Sequence, residues 1–244
     1  MNLQDKVVVI TGGGSGIGAA IALQLAQQGC RVAIGGRRTE ALEKIAAQIR
    51  QSRHPIAPHP LDVADDASID EFFSWVEREH GSVEILVNSA GINIVNRSMA
   101  KMEVAQWDEV LRVNATGAYR CMHRVLPAMR GRRDGLIINI SSVAGKRAIA
   151  LGGVAYAASK FAMTALGTTT ANEVRQEGVR ITNVYPGEVN TPILDRRPVP
   201  VSEEHRQAIL QPEDVATMIV SICQLPPRAH VPEIVIKPLI QEWF

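Results

Sequence analysis

Tyr156 and Lys160 stand four residues apart in Tyr156-Ala157-Ala158-Ser159-Lys160, a spacing that stacks two side chains on one face of a helix. A free phenol has a pKa near 10, too high for easy proton exchange at neutral pH. An ammonium about 4 Å away is worth roughly 4 kcal/mol at an effective dielectric of 20. That favours tyrosinate by up to about three pKa units before desolvation opposes it. The expected chemistry is a phenol that protonates a carbonyl oxygen in one direction and deprotonates an alcohol in the other, which typically contributes ~10²–10⁴ in rate. Ser141-Ser142 ends an apolar run, at the carboxyl edge of a strand, where α/β sheets bind their ligands. Either hydroxyl is a candidate to hold the carbonyl oxygen. The pair handles only the proton, so a hydride has to come from elsewhere.

A source for it is written near the start of the chain. An apolar run, Lys6 to Thr11, leads directly into Gly12-Gly13-Gly14-Ser15-Gly16-Ile17-Gly18. Glycines in such a turn permit positive φ and let a pyrophosphate approach the backbone, and the helix that follows offers free N–H groups with a partial positive charge. Gly14, Gly16 and Ala19 satisfy a GxGxxA pattern, a weak signal alone that gains weight from its place between strand and helix. NAD sites usually carry an acidic residue about twenty positions later. Here the second strand ends Ile34-Gly35-Gly36 and is followed by Arg37-Arg38. Two guanidiniums suit a 2′-phosphate, and a charge-assisted hydrogen bond of roughly 1.5–3 kcal/mol gives about ten- to a hundredfold preference for NADP(H) over NAD(H).

The elements that must position these residues alternate in type. Strands are expected over Lys6–Thr11, Arg31–Gly35, His54–Leu61, Glu84–Asn88, Leu136–Ser141, Val179–Tyr185 and Glu233–Ile236. Helices are expected over Gly16–Gly29, Thr39–Gln51, Asp65–His80 (capped by Asp65 or Asp66), Glu103–Arg130, Ala155–Gly178 and Pro212–Leu225. The strands are continuous apolar runs, the mark of a parallel sheet covered on both faces, and strand–helix alternation implies a doubly wound α/β fold with right-handed crossovers. Asn190 to Arg206 is irregular, rich in Pro and charge, and reads as a flap.

These motifs, in order, resemble the short-chain dehydrogenase/reductase family: TGxxxGIG at Thr11–Gly18, Asn88-Ser89-Ala90-Gly91, Asn114 in Val113-Asn114-Ala115-Thr116-Gly117, Ser141-Ser142, Tyr156-x-x-x-Lys160, and Pro186-Gly187 followed by Val189 and Thr191. The resemblance covers nearly the whole chain. It implies one NAD(P)-binding Rossmann domain over residues 1–244, with a seven-stranded parallel sheet in the order 3-2-1-4-5-6-7. It implies Asn114, Ser142, Tyr156 and Lys160 as the catalytic set, with Ser142 preferred to Ser141. Cofactor contacts are implied at Gly12, Gly14, Ser15, Gly16, Ile17, Gly18, Arg37, Arg38, Asp62, Val63, Asn88, Ala90, Gly91, Tyr156, Lys160, Pro186, Gly187, Val189 and Thr191. Asp62 would lie against the adenine, and Asn88 would also steady the sheet. Lys160 would reach the ribose, and Asn114 would anchor a water chain. A homotetramer or homodimer built on the helices carrying Asn114 and Tyr156 is implied as well.

The remaining features narrow the class. A formal net charge of +1 steers the chain toward neither nucleic acid nor membrane and favours a small-molecule partner. Cys30, Cys121 and Cys223 are odd in number and widely spaced, which suits a reducing cytoplasm and neither a disulfide framework nor a metal site. The polar N-terminus lacks a signal-peptide pattern, and no apolar run approaches the ~18 residues of a membrane span. No GxSxG occurs, and the six histidines are not placed for a hydrolase triad. A carbonyl or alcohol pocket is expected from Gly91–Met99, Val143–Val154 and Asn190–Arg206. Its apolar members include Ile92, Ile94, Ile149 and Leu151, and its polar ones Asn93, Lys146, Arg147 and Glu188. The C-terminal segment looks more like relatives acting on hydroxy acids such as serine and 3-hydroxypropanoate, or on broad carbonyls, than like 3-oxoacyl-carrier-protein reductases. A secondary-alcohol oxidoreductase thus stands beside an acyl-thioester reductase and, from another class, a non-catalytic dinucleotide sensor. The intact acid–base pair speaks against the sensor. Trp243 and Phe244 are expected as an apolar tip at a subunit contact.

Overall fold

Seven short strands, the central ones apolar on both faces, form one all-parallel sheet in the order β3-β2-β1-β4-β5-β6-β7. In this computed structural model residues 2–49 and 53–242 are described. The strands are β1 (Val7–Thr11), β2 (Arg31–Gly36), β3 (Ala57–Pro60), β4 (Ile85–Asn88), β5 (Gly135–Ile140), β6 (Val179–Pro186) and β7 (Glu233–Ile236). Alternate residues feed two separate cores. Val8, Ile10, Val87 and Ile138 pack with Ile21, Leu25, Leu42 and Ile219 on one face. Val7, Val9, Leu86 and Ile137 pack with Phe72, Phe73, Met122 and Met129 on the other. Both faces are therefore covered by helices, which is why the strands read as unbroken apolar runs. The architecture is Rossmann-like.

On the first face lie α1 (Gly16–Gln27), α2 (Thr39–Ala46) and α8 (Pro212–Gln224). On the second lie α3 (Asp66–Glu79), α5 (Gly117–Arg132) and α6 (Val154–Val174), with α4 (Val104–Leu111) leading into α5. Asp65 caps α3, its carboxylate accepting from the Ala67 N–H at 3.2 Å. The helix expected over Thr39–Gln51 tightens to a 3₁₀ turn at Ala47–Ile49, and its last two residues fall outside the described chain. Trp243 and Phe244 also lie outside it.

The Pro-interrupted strand expected within His54–Leu61 runs Ala57–Pro60, since proline cannot sustain a longer ladder at a sheet edge. Two other expectations are corrected. The long helix over Glu103–Arg130 is interrupted by a π-helical turn, Arg112–Thr116, which carries Asn114. Wider turns of this kind re-aim one side chain and cluster at functional sites. The flap is not irregular throughout: it holds a 3₁₀ turn, Pro192–Arg196, and α7 (Glu203–Ala208), capped by the Ser202 hydroxyl. Arg206 bonds both Asn190 and Asp195 and closes this segment on itself.

Candidate active site

At the carboxyl edge of the sheet a cleft of about 1050 Å³ runs from the glycine turn to the flap. At one end Gly12 adopts φ +70° and Gly16 φ +55°. A Cβ on Gly12 would lie 2.8 Å from the Ala90 backbone, and one on Gly16 would press on the Thr191 side chain at 3.0 Å. Glycine is needed at both for conformation and for close approach. The Thr11 hydroxyl accepts from the Ser89 and Ala90 N–H groups and so locks β1 to the loop after β4. Ser15 is the extended N-cap of α1, but its hydroxyl caps nothing in the helix; it accepts from Arg38 at 3.0 Å. The first-turn N–H groups of α1 are thus left facing the cleft, and an anion fits there.

Most of the residues expected at the cofactor line this cleft: Gly12, Gly14, Ser15, Gly16, Ile17, Arg37, Arg38, Asp62, Val63, Ala90, Gly91, Tyr156, Lys160, Pro186, Gly187, Val189 and Thr191. Asp62 also does a turn-former's work, accepting from the Ala64 N–H at 2.9 Å. Gly18 and Asn88 do not line it. Gly18 lies against the Gly12 carbonyl, where helix and strand pack closely. Asn88 is buried in an amide ladder: it donates to Asn139 at 2.9 Å, Asn139 donates to Asn183 at 3.2 Å, and Asn183 donates to the Thr164 carbonyl on α6. Asn139 and Asn183 carry no motif, and only the alignment of three strands puts them in register.

The floor of the cleft is made by α6 and the end of β5. Ser142 accepts from the Ala144 N–H at 3.1 Å, which turns its own proton toward the Tyr156 phenol, its hydrogen-bond partner. Ser141 is buried instead, donating to the Lys160 carbonyl at 3.1 Å. The extended N-cap conformation of Ser142 separates the two hydroxyls. Lys160 is also buried, and its ammonium donates to the Ile140 carbonyl at 2.8 Å and lies 5.6 Å from the Tyr156 ring centre. Burial pulls Lys160 down to about 8. The net shift of the phenol differs from the sequence expectation. Burial raises Tyr156 above the usual phenol range, and the opposing pull comes from Ser142 and from Arg97, not from Lys160. Desolvation wins because the ammonium is turned to a carbonyl rather than to the phenolic oxygen.

Arg97 had no motif to announce it. Its guanidinium donates to three backbone carbonyls, Ile94 and Leu151 at 2.8 Å and Arg196 at 3.0 Å, tying together the loops after β4 and β5 and the flap. Among the described residues no carboxylate pairs with it, so its charge acts on the cleft. Asn114 is fully buried beneath Gly91: its oxygen accepts from Ile92 N–H at 2.8 Å, and its amide donates to the Ile92 carbonyl and to Ser159, both at 3.0 Å. In the substrate region Ile92, Asn93, Ile94, Ile149, Leu151 and Glu188 line the cleft, but Lys146 and Arg147 do not. Lys146 turns away to pair with Glu233. Glu188 meets Arg197 at 3.2 Å and His205 at 2.5 Å. Burial alone would raise the Glu188 carboxyl, yet these partners hold it below the ordinary range. His205 does not line the cleft itself but bonds Glu188, which does. No cluster that could hold a metal ion occurs among the described residues, and none of their helices is long and apolar enough to cross a membrane.

A glycine-lined cleft at the carboxyl edge of a parallel sheet, floored by Ser, Tyr and Lys, defines a Rossmann-type dinucleotide protein. The chain belongs to the short chain dehydrogenase family, whose sequence model matches residues 6–199. It is 36% identical over 239 residues to a farnesol dehydrogenase of Aedes aegypti, with 96% of each chain covered. Its structure is similar to that of an alcohol dehydrogenase from the archaeon Thermococcus sibiricus complexed with 5-hydroxy-NADP, with a TM-score of 0.88, 29% identity, and 98% and 99% of the two chains covered. A serine dehydrogenase complexed with NADP+ superposes with a TM-score of 0.89 at 28% identity, over 97% of this chain and 96% of that one. The chain is an oxidoreductase of this family.

Proposed function

We propose that the protein interconverts a secondary alcohol and its carbonyl by hydride transfer with NADP(H), Tyr156 serving as general acid and base. The observation that carries this reading is the convergence of Ser142 and Tyr156 on one floor, with Lys160 behind them, in the cleft that begins at the glycine turn. The cradle fits a dinucleotide: Gly12 and Gly16 leave the space a Cβ would fill, and the α1 N-terminus faces it. When bound, the nicotinamide supplies or accepts the hydride. Arg37 and Arg38 would hold a 2′-phosphate, and β2 ends without the carboxylate that would repel one. The neighbours complexed with 5-hydroxy-NADP and NADP+ support the cofactor, and the alcohol and farnesol dehydrogenases support a hydroxyl-bearing substrate.

The residues divide the work as follows. Ser142, oriented by the Ala144 N–H, gives its one proton to the phenol oxygen and would turn it to the substrate oxygen when that is bound, holding it beside the phenol. Tyr156 gives its proton to that oxygen in reduction and takes it back in oxidation. Arg97 favours the tyrosinate throughout against the burial that opposes it. Lys160 keeps a cation beneath the phenol and would reach the cofactor ribose. Asn114, with its amide spent on Ile92 and Ser159, positions the Gly91 loop and α6. Replacing Tyr156 with Phe is expected to cut turnover by at least about 10²-fold while leaving NADPH binding near normal, measured by nicotinamide absorbance and fluorescence titration. Undiminished turnover would remove the phenol from the mechanism. Arg37→Asp is expected to lower the kcat/KM ratio of NADPH over NADH by about tenfold or more. An unchanged ratio would detach Arg37 from the phosphate.

A homo-oligomer is part of the same reading. Val104, Tyr119 and Phe161 are large apolar side chains left exposed on α4, α5 and α6, which pack together, and association through these helices would cover them.

A further inference from the structure

Beyond the catalytic cleft lies a second cavity, of about 1100 Å³, walled by the loop after β4, the loop before α6 and the flap. Val95, Asn96, Arg97, Ile149, Leu151 and Arg197 line both spaces, so the two are neighbours across one partition. The walls that belong to the second cavity alone are mainly apolar, among them Val154, Ala157, Pro198, Val199 and Val201. Apolar residues of the partition and of the far wall are exposed to a degree unusual for their type: Val95 is 49%, Leu151 48% and Val199 74% accessible. The charges at the partition are already spoken for. Arg197 pairs with Glu188, His205 bonds the same carboxylate, and Arg97 gives its hydrogen bonds to three backbone carbonyls.

We infer that this cavity is the tail arm of the substrate pocket and takes an uncharged hydrocarbon chain attached to the alcohol or carbonyl carbon. The other polar side chains of the lining, Asn96, Ser98, Lys101 and Ser202, are exposed and stay hydrated at the solvent side, so the surface that gains from being covered is that of the exposed valines and leucine, which a methylene chain covers. The size of the space points the same way. Whole pockets for drug-sized ligands measure roughly 300–1,000 Å³, so a short alcohol would leave a second cavity of this size unused. Arg97 is the hinge of the arrangement: it holds the loops that form the partition and sits where the chain would pass from the phenol into the arm.

The inference rests on the alcohol–carbonyl reading of the cleft, and the test separates the two. With NADP+ and the full chain, kcat/KM is measured for 2-alkanols from butan-2-ol to dodecan-2-ol. Each added methylene is expected to raise kcat/KM roughly threefold to fourfold until the arm is filled. Val154→Trp and Ala150→Trp, each placing an indole in the arm, should abolish that gain, and Val154→Ala should retain it. A flat series in the unaltered protein, or a gain that survives both tryptophan variants, overturns the arm while leaving the alcohol reading standing. If no alkanol is turned over, calorimetric binding of dodecan-2-ol in the presence of NADP+ decides. Binding lost in both tryptophan variants upholds the arm while the reaction fails, and no binding overturns it. A tryptophan variant that changes the oligomeric state instead of the chain-length profile would assign this surface to contact between copies, and the arm would fall.

Discussion

Burial and two residues set the acidity of the phenol, and only one of the two is near it in the chain. Ser142 precedes Tyr156 by one short loop, whereas Arg97 arrives from 54 residues before its partner Leu151. Burial pushes Tyr156 up, Ser142 and Arg97 pull it down, and Lys160 is itself pulled down to about 8 and turned to Ile140. Removing the Arg97 charge therefore removes stabilisation of tyrosinate. For Arg97→Gln the limb of the kcat/KM profile for alcohol oxidation that reports deprotonation is expected to move to higher pH. Oxidation at neutral pH should slow accordingly, and reduction should be less affected because the protonated phenol is its reactive form. A profile that keeps its position while activity falls would show that Arg97 only holds its loops together.

At the scale of elements, the sheet is joined to the catalytic helix by side chains as well as by packing. The Asn88–Asn139–Asn183 ladder crosses β4, β5 and β6 and ends on α6, the helix that carries Tyr156 and Lys160. Buried amides cost about 1–3 kcal/mol each when left unpaired. Asn139→Ala strands the Asn88 donor and the Asn183 acceptor, so a loss of about 2–5 kcal/mol in unfolding free energy is expected, read from urea denaturation with an unchanged m-value. A loss under about 1 kcal/mol would show that water or side-chain rotation satisfies both groups. The π-helical turn at Arg112–Thr116 serves the same end from the other side, bringing Asn114 under Gly91 and against Ser159.

At the scale of the molecule, the exposed side chains of Val104, Tyr119 and Phe161 mark the surface that association would cover. Light scattering coupled to gel filtration is expected to give two or four times the 26.5 kDa chain mass. Phe161→Glu, which places a charge on that surface, should shift the population toward smaller species. A monomeric unaltered protein would contradict the reading.

The sequence by itself determined the parallel sheet, the glycine turn and the four-residue phenol–ammonium pair, because each depends on neighbours in the chain. Positive φ at Gly12 and Gly16, apolar runs long enough to be covered on both faces, and one helical turn between Tyr156 and Lys160 are local requirements. Folding decided which serine meets the phenol, that Lys146 faces away, that Arg97 and Glu188 wall the cleft, and that Asn139 and Asn183 brace it. These depend on segments 14 to 99 residues apart meeting in space. The sign of the phenol's shift was likewise beyond reach, since spacing gives the number of charges near a group but not how far each has been taken out of water.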